Sequence, residues 1–234
     1  MKRRLGELAF GIVWKVLAFL GISRLDYYRH YARSDIDQKY KTLTGCTSEE
    51  EFDQTGKLVL EQLISLGFKQ NSKILDLGCG TGRLATQLLP YLGEQGEYYG
   101  CDISPEVIEF CRKRYSRSNF HFLTNQMKKI PLSLGANFDF IWCYSVFTHI
   151  FPDEMVCLLQ ECKRLIRPQG LLLASYYIAG REPAFLKRVK SFYGNRDRME
   201  YGDDFLREII SEQGLFVLDT ISIQKQPIFV LRLR

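Results

Sequence analysis

The sequence KILDLGCGTGR, residues 73–83, joins a short apolar run to three glycines within five residues. The apolar part predicts a strand at 73–77, and the residues after the glycines predict a helix that ends near Leu92. Glycine lets a chain turn sharply and approach a ligand with no Cβ in the way. Because ligands of open α/β sheets bind outside the carboxyl ends of the strands, this turn is the predicted binding site.

Helical and strand-like patterns alternate on both sides of the turn. A capping box at 47–51 opens a helix that runs to about Leu66, and Ser104 with Pro105 opens another that runs to about Tyr115. Pro168-Gln169-Gly170 is predicted to form a turn. The other predicted helices cover residues 152–167 and 203–212, and the other predicted strands cover 97–101, 120–124, 138–143, 171–178, 215–223 and 228–233.

The last two predicted strands, 215–223 and 228–233, are joined by only a few residues around Gln226-Pro227. Such a link is too short for a parallel crossover, so these strands must run antiparallel. The other strands alternate with helices, which predicts a parallel sheet covered on both faces. The predicted fold is therefore α/β and Rossmann-like, with a seven-stranded, mostly parallel sheet and a closing antiparallel pair.

The charge of the chain is concentrated at its start. Its 234 residues suit one large α/β domain with an added segment, and the formal net charge is +5. Residues 1–33 hold seven basic and two acidic side chains, so their net charge of +5 equals that of the whole chain. Since the remainder is neutral overall, no nucleic-acid partner is predicted.

The seven cysteines form no Cys-x-x-Cys pair, and no histidine cluster lies near them. Neither a disulfide framework nor a metal site is predicted. Reduced thiols of this kind indicate a cytoplasmic protein.

Residues 1–22 combine a basic start with a broad apolar helical face. The apolar run after Lys15 is shorter than the roughly 20 residues that span a bilayer. Two interpretations remain open: a helix that lies on an anionic membrane surface, which would make the protein a peripheral membrane protein, or a helix that packs on the protein's own core. The predicted organisation is an N-terminal helical extension at 1–46 and an α/β domain at 47–234 that carries the glycine turn.

The glycine spacing alone leaves the ligand undecided. Counted from Gly80, the pattern Gly-x-Gly-x-x-Ala fits a dinucleotide fold. Asp76 argues against that ligand, because a carboxylate before the turn repels a pyrophosphate but suits an ammonium and a sulfonium. Asp102, at the end of the second strand, can accept both hydroxyls of a ribose. The alternative is that Asp102 only caps the helix that starts at Ser104.

At this point the sequence resembles the class I, Rossmann-like, S-adenosylmethionine-dependent methyltransferases. The similar segments are KILDLGCGTGR at 73–83, YGCDIS at 99–104, FDFIWCYSVFTH at 138–149 and LIRPQG at 165–170, and the resemblance extends over about residues 50–234.

The resemblance implies S-adenosylmethionine as cofactor and assigns parts of it to individual residues. The methionine part would be held by Asp76, Gly78, Cys79, Gly80 and Gly82. The ribose would be held by Asp102, and the adenine would pack against Ile103. The family usually holds adenine with an acid after the third strand, and here Asn125 and Gln126 stand in that place. Tyr144 would lie under the cofactor.

Transfer of the methyl group is an in-line displacement that depends largely on positioning. His149 is the candidate general base, and the alternative is a structural histidine bonded to the backbone. Residues 143–146 lack the Asn/Asp-Pro-Pro-Tyr/Phe motif of base N-methyltransferases, which disfavours nucleic-acid substrates. A basic insert at 179–202 favours an anionic acceptor, although it equally fits a solvated charged surface.

Three functional hypotheses follow from these residues. The acceptor is a small molecule, or it is a glycan or lipid-linked molecule at a membrane, or the protein keeps the fold and binds S-adenosylmethionine without catalysis.

Overall fold

The computed structural model describes residues 36, 40, 44, 46, 48–126, 129–133, 136–178 and 200–234. The helix predicted within residues 1–22 and the greater part of the basic insert, residues 179–199, lie outside the described residues.

Helices and strands alternate along the described part of the chain. The helices are α1 Glu49–Ser65, α2 Arg83–Tyr91, α3 Pro105–Arg114, α4 Pro152–Leu165 and α5 Asp203–Glu212. The strands are β1 Lys73–Leu77, β2 Glu97–Asp102, β3 Phe120–Thr124, β4 Phe138–Cys143, β5 Ile166–Ser175, β6 Tyr177–Ile178, β7 Glu200–Tyr201, β8 Leu215–Ile223 and β9 Gln226–Leu233.

Seven of these strands form one sheet in the order β3-β2-β1-β4-β5-β9-β8. β1 pairs in parallel with both β2 and β4, whereas β9 runs antiparallel to both β5 and β8. The predicted α/β fold with a closing antiparallel pair is confirmed. The strand order reverses next to β1, and the glycine turn directly follows that strand, at the position where open α/β sheets bind their ligands.

Both faces of the sheet are covered, and β1 shows how. Leu75 and Leu77 belong to a core cluster that includes Leu158 and Leu159 of α4. Ile74 belongs to a second cluster on the opposite face with residues of α1, α2 and α3. Successive side chains of a strand point to opposite faces, so a strand buried on both sides is apolar throughout. Asp76 breaks that rule, because it is an acid within a buried strand.

The region around β5 differs from the prediction. β5 begins at Ile166, so the predicted turn at 168–170 is wrong. Phe138 of β4 pairs with Ile166, and Phe140 pairs with Leu171, so the intervening residues form an irregularity inside the strand. At its other end β5 stops at Ser175, and Tyr177–Ile178 pairs with Glu200–Tyr201 in a separate two-stranded parallel sheet.

The turn between the last two strands is also placed differently. Gln224 and Lys225 both have positive φ angles, 48° and 65°, and Ile223 pairs with Gln226. A two-residue hairpin loop requires this conformation at both central positions, so the loop lies two residues earlier than predicted. None of the helices in the described part of the chain has the length and apolarity to cross a membrane.

Candidate functional site

The glycine turn is fixed to the end of β2 by its backbone. The N–H groups of Gly78 and Cys79 both donate to the carbonyl oxygen of Cys101, at 2.8 and 2.9 Å. Gly78, Gly80 and Gly82 have φ angles of 76°, 52° and 85°, in the left-handed region that favours glycine. The predicted turn is confirmed, and its backbone lies at the carboxyl ends of β1 and β2.

The glycines of this turn do not all serve the same purpose. A Cβ on Gly78 would overlap the side chain of Val146, and a Cβ on Gly82 would overlap the ring of Tyr115. These two positions therefore need glycine because the protein's own side chains fill the space. A Cβ on Gly80 would meet one methyl carbon at 3.3 Å, so Gly80 is the least enclosed of the three.

Asp76 is a buried carboxylic acid at the end of β1, with 3% of its surface exposed. The hydroxyl of Tyr98 donates to its Oδ2 atom at 2.8 Å. Burial raises the pKa of Asp76 to about 7, although the hydrogen bond from Tyr98 and the charge of Arg83 act in the opposite direction. The acid therefore titrates near neutral pH.

Asp102 braces both the turn and the start of α3. Its Oδ2 atom accepts from the N–H of Gly80 and its Oδ1 atom accepts from the N–H of Ser104, both at 3.0 Å. Burial raises the pKa of Asp102, while backbone N–H groups, including that of the half-buried Ile103, lower it. The helix itself is capped by Ser104, whose hydroxyl accepts from the N–H of Val107, so the contact of Asp102 with the Ser104 N–H only precedes the cap. This contact leaves acceptor capacity, because each carboxylate oxygen can take a second donor.

Asn125 lies beside Asp102, since its N–H donates to the Asp102 carbonyl oxygen at 3.0 Å. Its side chain is 4% exposed, and its Nδ2 atom donates to the carbonyl of Gln126 at 3.4 Å. Among the described residues its buried Oδ1 atom has no hydrogen-bond partner. Gln126 is exposed and forms an isolated bridge with Lys129, so only Asn125 of this pair is buried beside Asp102.

Tyr144 follows β4 and lies close to the glycine turn. Its ring stacks on Trp142 at 5.6 Å with an interplanar angle of 5°, and the Arg83 guanidinium lies 4.9 Å from its centroid. Its hydroxyl donates to the carbonyl of Ile223 at 3.5 Å. The flat ring is thus held between the sheet and the first residue of α2.

The loop after β4 is held by a buried hydroxyl and amide network. Ser145 has a φ of 60°, which is strained for a residue other than glycine. Its N–H donates to Ser175 Oγ at 2.6 Å, and Gln226 Nε2 donates to the same oxygen at 2.9 Å. Further along, the N–H of the half-buried His149 donates to the Val146 carbonyl at 2.9 Å, which places the predicted base in a turn of this loop.

Residues that precede the predicted domain also reach the glycine turn. The hydroxyl of Thr81 donates to the carbonyl of Tyr40 at 2.6 Å. Arg83 Nη1 donates to the carbonyl of Thr44 at 3.4 Å and lies 3.6 Å from the sulfur of the buried Cys46. The described part of the 1–46 segment therefore packs on the turn.

Sequence analysis missed these N-terminal contacts, the Ser175–Gln226 network and the role of Tyr98. Of these, only Tyr98 leaves a signal in the sequence. Its spacing of two residues from Gly100 places it on the face of β2 that meets Asp76. The seven cysteines are free thiols, and the described residues contain no group of three or more His, Cys, Asp or Glu able to hold a metal ion.

Comparison with known proteins agrees with this geometry. Residues 74–170 match a family model described as a methyltransferase domain. The structure is similar to that of magnesium protoporphyrin IX methyltransferase from Synechocystis PCC 6803 with bound SAH, with a TM-score of 0.63 and 18% identity over 88% of this chain and 97% of that one. The matched segment is therefore similar to a methyltransferase domain, and the chain has the fold of S-adenosylmethionine-dependent methyltransferases.

Other methyltransferases show the same likeness. A SAM-dependent methyltransferase from Aquifex aeolicus has a TM-score of 0.58 and 18% identity, over 90% of this chain and 98% of that one. Demethylmenaquinone methyltransferase of Staphylococcus aureus is 27% identical over 145 residues, which are 62% of this chain and 58% of the relative. The chain therefore spans somewhat more than half the length of the curated relatives it matches.

Proposed function

We propose that this chain transfers the methyl group of S-adenosylmethionine to a small-molecule acceptor by in-line displacement. Bound S-adenosylmethionine supplies an electrophilic methyl group on a sulfonium. The observation that carries the proposal is the row formed by Asp76, Asp102 and Asn125, which end or follow β1, β2 and β3 beside the glycine turn. These three strands are neighbours in the sheet, so the row follows a single edge.

The residues in this row would suit successive parts of the cofactor. Leaving the buried Asn125 Oδ1 atom without a partner costs about 1–3 kcal/mol, and the amino group of an adenine would remove that cost. The carboxylate of Asp102 would accept the ribose hydroxyls, with Ile103 against the adenine. Asp76 would face the ammonium, and the turn from Gly78 through Cys79 and Gly80 to Gly82 would lie against the methionine part, which the missing side chain of Gly80 allows to approach closely.

The protein's contribution to the reaction would be mainly positional. Holding donor and acceptor in a reactive geometry can supply about 7–11 kcal/mol of the barrier. Tyr144 would offer a flat surface under the cofactor, since its ring packs against Trp142 and Arg83. His149 would accept a proton from an oxygen or nitrogen acceptor, because it lies in the loop that follows β4 at the same edge.

A small-molecule acceptor is supported by the relative named demethylmenaquinone methyltransferase, so an aromatic hydroquinone is the first compound to test. A glycan or lipid-linked acceptor is the alternative, which sequence alone supports through residues 1–22 and the basic insert. On that alternative the protein would be attached to the cytoplasmic face of an anionic membrane.

Two measurements test the proposed function. Calorimetry should show binding of S-adenosylmethionine and none of NAD, and the reverse result would overturn the cofactor assignment. Transfer of a labelled methyl group to hydroquinones and to fractionated metabolite extracts should then identify the acceptor. Cofactor binding with no transfer to any fraction, including membrane lipids, would favour the hypothesis of a non-catalytic S-adenosylmethionine-binding protein.

A further inference from the structure

Tyr98 reaches the cofactor site from within the core. It is completely buried on β2, where it pairs with Ile74, and Gly100 pairs with Asp76. Tyr98 and Gly100 lie on the same face of the strand, so the phenol must extend past Gly100 to reach the carboxylate. Its hydroxyl does so and donates to Asp76 Oδ2 at 2.8 Å.

Gly100 keeps this path open. A Cβ at that position would lie 3.1 Å from Cε1 of Tyr98 and 2.8 Å from the ring of Phe122. The phenol ring is also held by two aromatic neighbours, with centroid distances of 5.1 Å to Phe120 and 5.6 Å to Phe122. Because the ring is confined on these sides, the hydroxyl stays directed at Asp76.

The hydrogen bond has a fixed direction. Burial raises the pKa of Tyr98 well above 10, so the phenol keeps its proton and acts as the donor. Two charged side chains on neighbouring elements act on Asp76. The Arg83 guanidinium favours the ionised form of Asp76, and the Asp102 carboxylate disfavours it. Three thiols also lie within electrostatic range and remain protonated because burial raises their pKa: Cys79, Cys101 and Cys143.

We propose that Tyr98 is a positioning residue of the cofactor site, which orients the Asp76 carboxylate for the ammonium of S-adenosylmethionine and makes cofactor binding release a proton from Asp76. The inference rests on the proposed function and deepens it, since it assigns the group that prepares the ammonium site. Tyr98 itself acts through Asp76 and does not contact the ligand.

The coupling follows from the balance of charge in the buried site. The pKa of Asp76 is about 7, so near neutral pH a large share of the free protein carries the proton there. A cationic ammonium favours the ionised acid, so binding must expel that proton. Affinity for S-adenosylmethionine should therefore fall as the pH is lowered through 7, by up to tenfold per pH unit.

The test uses calorimetry of S-adenosylmethionine binding to the full chain between pH 6 and 9. Titration in two buffers with different ionisation enthalpies gives the number of protons released. The Tyr98→Phe variant loses the donor, so the pKa of Asp76 rises further. We expect about tenfold weaker binding or more at pH 7.5, a higher midpoint of the pH profile and more protons released at that pH.

The Tyr99→Phe variant is the matched control. Tyr99 is the next residue of β2, and its hydroxyl donates to Glu97 at 3.4 Å instead of to the cofactor site. The Tyr99→Phe variant should bind S-adenosylmethionine like the wild type across the whole pH range. A purely structural role of Tyr98 would lower the melting temperature of the Tyr98→Phe variant but leave both the midpoint and the proton count unchanged, and that result overturns the inference.

Two further outcomes are separable. A wild-type protein that does not bind S-adenosylmethionine overturns the proposed function, and the inference falls with it. If Tyr98→Phe does not fold, 3-fluorotyrosine placed at position 98 alone keeps the ring and strengthens the donor. The midpoint of the pH profile of S-adenosylmethionine binding must then move to lower pH, and an unchanged midpoint overturns the inference.

Discussion

Thr81 of the glycine turn donates its hydroxyl hydrogen to the backbone carbonyl of Tyr40 at 2.6 Å, across 41 positions of sequence. Thr81 is buried, and the ring of Tyr40 packs on Phe110 of α3 with a centroid distance of 5.6 Å. Residues just ahead of the predicted domain thus stabilise the backbone of the site.

Two truncations separate this role from that of the helix predicted within residues 1–22. Removal of residues 1–46 should lower the melting temperature and weaken S-adenosylmethionine binding, because the contacts of Tyr40, Thr44 and Cys46 are lost. Removal of residues 1–22 should leave both unchanged and should abolish binding to anionic liposomes if that segment lies on membranes. A destabilised 1–22 truncation, with a full chain that ignores liposomes, would favour a helix packed on the core.

Substitution of Asp102 tests its ribose role. The Asp102→Ala variant should bind S-adenosylmethionine more weakly by about 1.5–3 kcal/mol, the usual range for hydrogen bonds to a charged group. The matched control is Ser104→Ala, which removes the cap bond to Val107 and should cost about 1 kcal/mol of stability without changing affinity. If calorimetry gives equal affinities for Asp102→Ala and the wild type, Asp102 does not bind the ribose and only stabilises the start of α3.

Asn125 should respond in opposite directions to two substitutions. Asn125→Leu removes the free acceptor and should weaken cofactor binding about tenfold, whereas Asn125→Asp offers a charged acceptor to the adenine amino group and should strengthen it. Asn119→Ala serves as control, because Asn119 donates to the Gly93 and Gly96 carbonyls and should affect only the melting temperature. Identical dissociation constants for both Asn125 variants would exclude the adenine contact.

Asp76 should make the stability of the protein depend on pH. Its pKa is about 7 in the folded protein and 3.8 when unperturbed, so between these values the folded state holds a proton that the unfolded state has lost. The free energy of unfolding must then fall as the pH rises from about 4 to about 7, by up to roughly 1.4 kcal/mol per pH unit.

The Asp76→Asn variant cannot ionise and should lack this decline. Urea denaturation should show it to be more stable than the wild type at pH 8 and similar at pH 4, while its affinity for S-adenosylmethionine is lost. Parallel stability curves for the two proteins across this range would contradict the assignment of the titration to Asp76.

His149→Ala should slow methyl transfer by about 10²-fold or more if His149 is the base, with cofactor affinity nearly unchanged. The control is His121→Ala, since His121 lies on β3 beside Tyr99 and Glu97. Steady-state rates with an identified acceptor decide the matter, and full activity of His149→Ala would assign the side chain a structural role.

The fold could be predicted because its signals are local. The strand at 73–77, the glycines that follow it and the cap at Ser48 each depend on neighbouring residues, and the structure places them as predicted. The turn predicted at 168–170 failed for a long-range reason. Phe138 pairs with Ile166, so Pro168 to Gly170 lie inside a strand despite their turn-forming types.

The predicted site is incomplete for the same reason. Asp76 and Asp102 are recognisable from their spacing around the turn, but nothing near Tyr40 or Gln226 indicates contact with residues 41 and 51 positions away. Tyr98 could be predicted only in part. Its alignment with Asp76 depends on the register of β1 and β2, which only the folded sheet defines.

The insertion of β9 between β5 and β8 also constrains how the chain folds. β8 and β9 are joined by two residues and can pair quickly by themselves, whereas β5 and β9 meet only after a loop of about fifty residues has closed. β8 joins the sheet only through β9, so the hairpin docks and undocks as one cooperative unit. Gln226, the first residue of β9, arrives with it and completes the contacts that hold Ser145. The conformation of the loop after β4 therefore depends on docking of the hairpin, and amide exchange in that loop should follow exchange in the hairpin.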